Sequence, residues 1–286
     1  MANLKDLRSR ITSVSSTMQI TSAMKMVSAA KLSKAQDAIT QMRPYAEKLS
    51  ELLQNLSATT DSDQNSKYAE QREVNNVLVV AISSNRGLAG AFNSNIVKAV
   101  KLLASEDYSG KNVEVMTIGK KANDILRKTF DIYKNNNEIY DDLSYDNVAE
   151  IAEDLMKQFL DGKYDKIVVV YNHFRNAGTQ IVMKEQFLPL KPVETDEDVI
   201  LDYIFEPSKE EIVRELIPKS LKMQIFKALR DSFASEHGAR MTAMHKATDN
   251  ATELRDELRL SYNKARQAAI TNEILEIVGG AEALNK

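Results

Sequence analysis

The chain has 286 residues, and its content of 43% hydrophobic and 28% charged residues is that of a folded protein with one or two domains. The absence of cysteine excludes disulfides, thiolate metal sites, cysteine nucleophiles and thiol redox switches. No apolar run approaches the roughly 20 residues that a membrane-spanning helix needs, and the formal net charge is only −3.

Residues 1–57 predict one long helix, the first half of a shaft. Its apolar residues recur at alternating steps of three and four, which is the heptad pattern of a coiled coil. At about 1.5 Å per residue this helix would be roughly 80 Å long, too long to be buried in one globule. The pattern comprises Leu4, Leu7, Ile11, Val14, Met18, Leu32, Ala35, Ile39, Met42, Ala46, Leu49, Leu53 and Leu56.

Three successive positions of this heptad seam are polar, namely Thr21, Lys25 and Ser28. Their neighbours are apolar or small, so we expect the apolar stripe to rotate around the helix here and to meet a second surface. These neighbours are Ile20, Ala23, Met24, Met26, Val27, Ala29 and Ala30.

The amino-terminal end is basic, because Asp6 is the only acidic residue before position 37. Two alternatives follow from this: an organelle transit peptide, or an arm that binds nucleic acid. The heptad phase continues to Leu56 without a break, which disfavours cleavage, and no aromatic residue for base stacking precedes Tyr45.

The middle of the chain predicts a polar linker over residues 58–75 and a small α/β domain over 76–207. Continuous apolar runs are typical of buried parallel strands, and helical patterns separate them, so we expect a doubly wound sheet with right-handed crossovers. The predicted strands are Val77–Ile82, Val113–Ile118 and Lys166–Tyr171, with further extended pieces at Thr179–Phe187 and Asp198–Phe205, and one of the helices spans about Tyr145–Leu160.

Residues 208–286 predict a second long helix, roughly 115 Å in length, as the other half of the shaft. Ser208 and Glu211 have the spacing of a capping box, and Pro218 is expected to bend the helix or to mark its true beginning. Small and apolar residues form the predicted seam of its far end: Ala251, Leu254, Leu258, Ala265, Ala268 and Leu275.

No catalytic, cofactor or metal site emerges from the motifs. The turn Ser83–Gly90 follows the first strand, where a dinucleotide-binding domain holds phosphate, but it lacks GxGxxG, and the chain has no GxxxxGK[ST]. His173, His237 and His245 are too scattered for a metal site and have no evident carboxylate partners, so we expect surface or interface histidines. No GxSxG elbow occurs.

Three stretches resemble the gamma subunits of F-type ATP synthases. They are Ile270–Ala283 (ITNEILEIVGGAEA), Ile20–Leu32 (ITSAMKMVSAAKL) and Ser83–Asn93 (SSNRGLAGAFN). Because these stretches lie at both ends and in the middle, the resemblance covers the whole chain.

The resemblance implies a long antiparallel coiled coil of the terminal helices together with the small doubly wound, Rossmann-like α/β domain. It implies a central-stalk rotor subunit that is not itself an enzyme: ion flow through the membrane c-ring turns the asymmetric shaft, which drives the beta catalytic sites through their conformations. The implied partners are the alpha and beta subunits of the catalytic ring, the epsilon subunit and the c-ring, with no nucleic acid, no cofactor and the membrane reached only through partners.

Matching the motifs residue by residue implies two sets of contacts on the shaft. Expected contacts with the beta subunits are Met24, Lys25, Arg266, Gln267 and Thr271. The expected bearing tip, which turns in a hydrophobic collar, comprises Ile274, Leu275, Ile277 and Val278. Since no presequence is evident, the expected location is peripheral, on the cytoplasmic face of the bacterial inner membrane.

Two other classes of protein stay open at this point. One is a Rossmann-like enzyme with a coiled-coil arm, which nucleotide binding would reveal. The other is a coiled-coil scaffold that dimerises with itself, which co-purification would distinguish from a rotor.

Overall fold

The computed structural model describes residues 4–58, 67–190 and 209–284. Long helices α1 (Leu4–Ala58) and α5 (Lys209–Leu284) flank the α/β elements in the chain. Between them lie β1 (Asn76–Ile82), α2 (Phe92–Leu102), β2 (Asn112–Ile118), α3 (Lys120–Leu126), β3 (Ile132–Asn135), α4 (Tyr145–Leu160), β4 (Lys166–Asn176) and β5 (Thr179–Leu188). Pro218 lies inside α5 and does not begin it. Ser208 and the predicted extended piece Asp198–Phe205 lie outside the described residues.

The five strands form one sheet in the order β3-β2-β1-β4-β5. Neighbouring strands from β3 to β4 are parallel, and β5 pairs antiparallel with β4 at the edge. The predicted strands at β1, β2, β4 and β5 are confirmed. The sequence analysis missed β3, because only Ile132 and Tyr133 of its four residues are apolar and both lie half-buried near an edge.

The sheet has a hydrophobic core on each face. Residues 77–82 of β1 are fully buried, and a strand directs alternate side chains to opposite faces. Val77, Val79 and Ala81 pack with α2 and α3. On the other face the core comprises Leu78, Val80 and Ile82 of β1, residues of α4 such as Leu155, and Ile217, Leu221, Ile225 and Leu229 of α5. The predicted doubly wound arrangement is therefore confirmed.

The contacts of the chain divide into two compact units, one of residues 29–240 and one of residues 1–28 with 241–286. In the second unit, Thr21 hydrogen-bonds Thr248 with 2.8 Å between the hydroxyl oxygens, and an Arg255 nitrogen lies 3.4 Å from the Met18 sulfur. From the first contact to the second, the residue number falls on α1 and rises on α5, so the two helices are antiparallel. In the first unit, Met42 and Leu49 of α1 pack with Met223 of α5.

The heptad seam of α1 is confirmed for its described side chains. Leu7, Leu32, Ala35, Ile39, Met42 and Leu49 are buried, and Leu4, Ile11, Val14, Met18 and Ala46 are half-buried. The expected rotation of the buried stripe is wrong, because the polar seam residues Thr21 and Ser28 are themselves buried. Hydroxyl hydrogen bonds make this possible: Ser28 donates to the Met24 carbonyl oxygen at 2.8 Å, and Thr21 contacts Thr248.

The predicted seam of α5 is partly wrong. Ala251 is buried and Leu258 and Ala265 are half-buried, but Leu254, Ala268 and Leu275 are exposed. Thr248, Arg255 and Tyr262, at heptad steps, are half-buried instead. An arginine can occupy such a position because its aliphatic stem covers apolar surface while the guanidinium reaches outward.

Candidate functional site

The residues expected to contact beta subunits lie at two levels of the antiparallel helix pair. The offset set by Thr21 and Thr248 places Lys25 roughly 20 residues, or about 30 Å, from Arg266 along α5. Met24 and Lys25 are half-buried, whereas Arg266, Gln267 and Thr271 are exposed. Thr271 donates its hydroxyl to the Gln267 carbonyl oxygen at 2.9 Å. These residues therefore form two separate surfaces.

The expected bearing tip is an exposed apolar surface. Ile274, Leu275, Ile277 and Val278 each have at least half of their surface exposed, up to 71% for Ile277. The cause is the helix offset, because Leu4, the first described residue of α1, lies opposite roughly residues 265–269 of α5. Later residues of α5 therefore extend past the described end of α1.

A second exposed apolar surface lies on α1 beside the polar seam positions. Ile20, Met26 and Val27 are 60%, 65% and 58% exposed, although the adjacent Thr21 and Ser28 are buried. An amphipathic helix normally shows the opposite pattern. Exposed apolar side chains grouped in this way are typical of interaction surfaces.

The remaining candidate is the crevice at the carboxyl ends of β1 and β4, here called the switch-point crevice. In the order β3-β2-β1-β4, the chain moves outward on one side of β1 and then returns to its other side. Doubly wound domains bind ligands at this reversal. The turn of residues 83–90 after β1 is the segment that the sequence analysis considered for phosphate binding.

Residues 231–240 of α5 lie against this crevice. Ser235 donates its hydroxyl to the Asn172 carbonyl oxygen of β4 at 3.0 Å. Gly238 passes so close to the turn after β4 that a Cβ on it would lie 3.2 Å from the Ala177 Cα. Ala239 packs with Ala89 and Phe92 at the start of α2. The chain's own helix therefore contacts both sides of the crevice.

A buried ion pair joins α5 to the turn after β1. Arg240 and Glu236, less than 10% exposed, are 2.7 Å apart between Nη1 and Oε1. The Arg240 guanidinium also donates to the carbonyl oxygens of Arg86 and Gly87, at 3.2 and 3.3 Å from Nη2. Burial raises the pKa of Glu236, and the charge of Arg240 opposes that rise.

Sequence reasoning missed this pair, although a signal was present. Glu236 and Arg240 are four residues apart, the spacing of neighbours on one helix face. They stand among small and apolar residues, so the run as a whole indicates burial. Charged side chains inside such a run are rarely buried unless they are paired with an opposite charge.

The expectation of surface or interface histidines is wrong for His237, which is 5% exposed. Its ring packs edge-to-face on Phe233, and burial, with Arg240 and Lys31 nearby, lowers its pKa to about 4. The other two histidines have carboxylate partners: His173 Nδ1 lies 2.6 Å from Asp231, and His245 Nδ1 lies 3.3 Å from Asp249. Within the described ranges, no three histidine or carboxylate side chains are grouped to hold a metal ion.

Comparison with known proteins covers almost the whole chain. The family model described as ATP synthase matches residues 3–284. The chain is 77% identical to the ATP synthase gamma chain of Christiangramia forsetii, over 100% of both chains. It is 70% identical to the ATP synthase gamma chain of Flavobacterium psychrophilum, over 99% of both.

Solved structures agree with these relatives. The central stalk and c-ring structure of Tetrahymena thermophila mitochondrial ATP synthase contains a chain that is 28% identical, with a TM-score of 0.59 over 80% of this chain and 99% of that one. The rotor of Euglena gracilis mitochondrial ATP synthase gives a TM-score of 0.67 at 21% identity, over 93% and 98%, which supports the fold. Of the helices that the structure describes, none combines the length and apolarity required to cross a bilayer.

The fold and the full-length similarities agree with one another. The fold consists of two long helices that pair antiparallel and a doubly wound sheet whose crevice holds one of those helices. The chain therefore belongs to the ATP synthase family as one of its gamma chains, the non-catalytic rotor subunits of the central stalk.

Proposed function

We propose that the terminal helices of this chain, residues 1–57 and 208–286, are the axle that carries torque in a rotary ATP synthase. The α/β domain of residues 76–207, reached through the linker 58–75, is the base on which the axle is held. The antiparallel contacts Thr21–Thr248 and Met42–Met223 support this, because two packed helices resist twisting and bending better than a single one.

The observation that carries the proposal is the exposed apolar tip. Fully burying a large aliphatic side chain stabilises by about 1.5–3 kcal/mol, so Ile274, Leu275, Ile277 and Val278, each at least half exposed, forgo roughly 4–7 kcal/mol together. A surface of this kind favours a hydrophobic collar around it. In the proposed assembly the alpha and beta subunits form that collar, and the tip turns in it without interlocking contacts.

The torque-bearing contacts with the beta subunits are proposed at Met24 and Lys25 on one level and at Arg266, Gln267 and Thr271 on the other. The set of Arg266, Gln267 and Thr271 is exposed and carries a guanidinium, an amide and a hydroxyl, which can exchange hydrogen-bond partners as the shaft turns. Met24 and Lys25 lie beside the exposed Ile20, Met26 and Val27, which offer apolar contact area.

The proposed partners at the other end are the c-ring and the epsilon subunit. The Tetrahymena structure contains the central stalk together with the c-ring, which supports the first of these. The proposed location is the cytoplasmic face of a bacterial inner membrane, with the chain held there peripherally by its partners, since the similar gamma chains named above come from bacteria.

Single-cysteine crosslinking tests the proposal, because the chain has no cysteine of its own. Lys25→Cys and Thr271→Cys, labelled with a benzophenone maleimide in the complex with alpha and beta chains, should give photoproducts with beta chains and block ATP hydrolysis. Ser105→Cys, an exposed position on the α/β domain, is the matched control and should give neither result. Equal crosslinking from all three positions, or none from the two shaft positions, would contradict the proposal.

A further inference from the structure

We infer that the α/β domain uses its switch-point crevice to grip its own shaft helix, and that Arg240 is the positioning residue that locks α5 to the turn after β1. This inference rests on the proposed function, because a grip of this kind matters when α5 transmits torque. It identifies where the base of the axle is fastened.

The first argument is location. A doubly wound domain binds a ligand outside the carboxyl ends of its strands, between the first βα turn and the strand across the reversal. Arg240 contacts that turn, and Ser235 contacts β4 through the Asn172 carbonyl oxygen. One stretch of α5 thus spans both sides of the crevice, as a bound ligand would.

The second argument is polarity. A phosphate-binding turn directs backbone N–H groups at an anion. Here the turn presents the consecutive carbonyl oxygens of Arg86 and Gly87 to a cation, and Gly87 accepts from both Nε and Nη2 of Arg240. This turn therefore accepts hydrogen bonds through its carbonyl oxygens, whereas a phosphate-binding turn donates them through N–H groups. Acceptors of this kind suit a guanidinium.

The third argument is how the turn and the pair are held. Ser84 donates its hydroxyl to the Arg86 carbonyl oxygen at 2.6 Å, and its backbone N–H donates to Asn93 Oδ1 at 3.0 Å. Glu236 supplies the counter-charge to Arg240 from one helical turn earlier. The turn is thus fixed from the α/β side and the guanidinium from the α5 side, so a load on α5 reaches β1 through Arg240.

Arg240 is also the last residue of the compact unit of residues 29–240. Other attachments of α5 to β4 lie further back along the helix, at the His173–Asp231 pair and at Ser235. Of these three attachments, Arg240 is the nearest to the carboxyl end of α5.

The test uses the complete ATP synthase in inverted membrane vesicles, with ATP hydrolysis and ATP-driven pumping of the coupling ion, H⁺ or Na⁺, measured together. Arg240→Gln removes the charge and the fork of donors, and Arg240→Lys keeps the charge beside Glu236 but cannot span two carbonyls in the same way. Arg230→Gln is the matched control, since Arg230 is another α5 arginine that donates to a carbonyl oxygen, that of Leu143 at 2.7 Å.

We expect Arg240→Gln to retain hydrolysis and to lose ion pumping per ATP, with Arg240→Lys intermediate and Arg230→Gln unchanged. Hydrogen exchange of residues 84–91 in the assembled complex should rise roughly tenfold or more in Arg240→Gln, the factor expected when charge-assisted hydrogen bonds are lost. A coupling ratio equal to wild type, or an equal loss in Arg230→Gln, would overturn the inference. If the wild-type chain did not couple hydrolysis to pumping, the proposed function itself would fail, so the two failures are distinct.

Discussion

His237 offers a direct test of how burial and charge act in α5. Its ring is buried against Phe233, and its pKa is lowered to about 4 by burial and by the neighbouring charges of Arg240 and Lys31. In the unfolded chain the imidazole has a pKa of about 6.5. Between these values the unfolded state binds more protons than the folded state, so the free energy of unfolding falls as the pH falls from about 6.5 toward 4.

The size of the effect follows from the two pKa values. Lowering the pH from 7 to 5 should reduce the free energy of unfolding by about 2 kcal/mol through His237 alone. The change to introduce is His237→Phe, which keeps an aromatic ring against Phe233 and removes the titrating group. Urea unfolding of the purified chain, measured at pH 7 and at pH 5, should show that this variant loses about 2 kcal/mol less than wild type.

The comparison of variant with wild type cancels every other titrating group, including the His173–Asp231 pair. Met244→Leu is the control, because Met244 is a buried residue of the same helix that carries no titrating group. That control should keep the wild-type dependence on pH. The reasoning is refuted if His237→Phe and wild type lose the same stability between the two pH values, since His237 would then titrate alike in both states.

Two further sets of substitutions test packing and buried polarity. Gly119→Ala should reduce the free energy of unfolding by roughly 3 kcal/mol or more, because its φ is +105° and a Cβ would lie 2.3 Å from the Ser83 carbonyl oxygen. Gly110→Ala, at φ +76° with open space around the Cβ, should lose only about 1–2 kcal/mol in the same urea titration; equal losses would rule out the clash. Thr21→Val and Thr248→Val should each destabilise the helix pair by about 1 kcal/mol, and the double variant should lose no more than either single one, because both remove the same hydrogen bond while the remaining hydroxyl of a single variant keeps a carbonyl acceptor in its own helix. Hydrogen exchange of the helix pair measures this cycle, and strictly additive losses would contradict it.

Periodic and continuous patterns predicted most of the fold, because they report burial directly. The heptad seam from Leu7 to Leu49 and the unbroken apolar run of β1 both match the structure. The short strand β3 gave no such signal, since half of its residues are polar and it adds to the sheet through backbone hydrogen bonds that any side chain permits.

Predictions of burial were wrong where a contact with a residue distant in sequence decides which side chains are buried. Thr21 is buried against Thr248, with 2.8 Å between the two hydroxyl oxygens, and a sequence pattern cannot contain a contact between residues so far apart in the chain. Leu254 is exposed while Arg255 is half-buried, because the offset between two helices selects the buried stripe. The grip of Arg240 on the turn after β1 depends likewise on two segments, distant in sequence, that meet only in the folded chain.

The pairing of Thr21 with Thr248, 227 residues apart in sequence, has a consequence for synthesis. At about 5–20 residues per second, the ribosome makes the partner of the first helix roughly 10–50 s after that helix has emerged. During this interval the apolar stripe of the nascent helix faces water or a chaperone. The cell must shield this stripe until translation is almost finished, so slow translation or a shortage of chaperones should cause aggregation through this segment first.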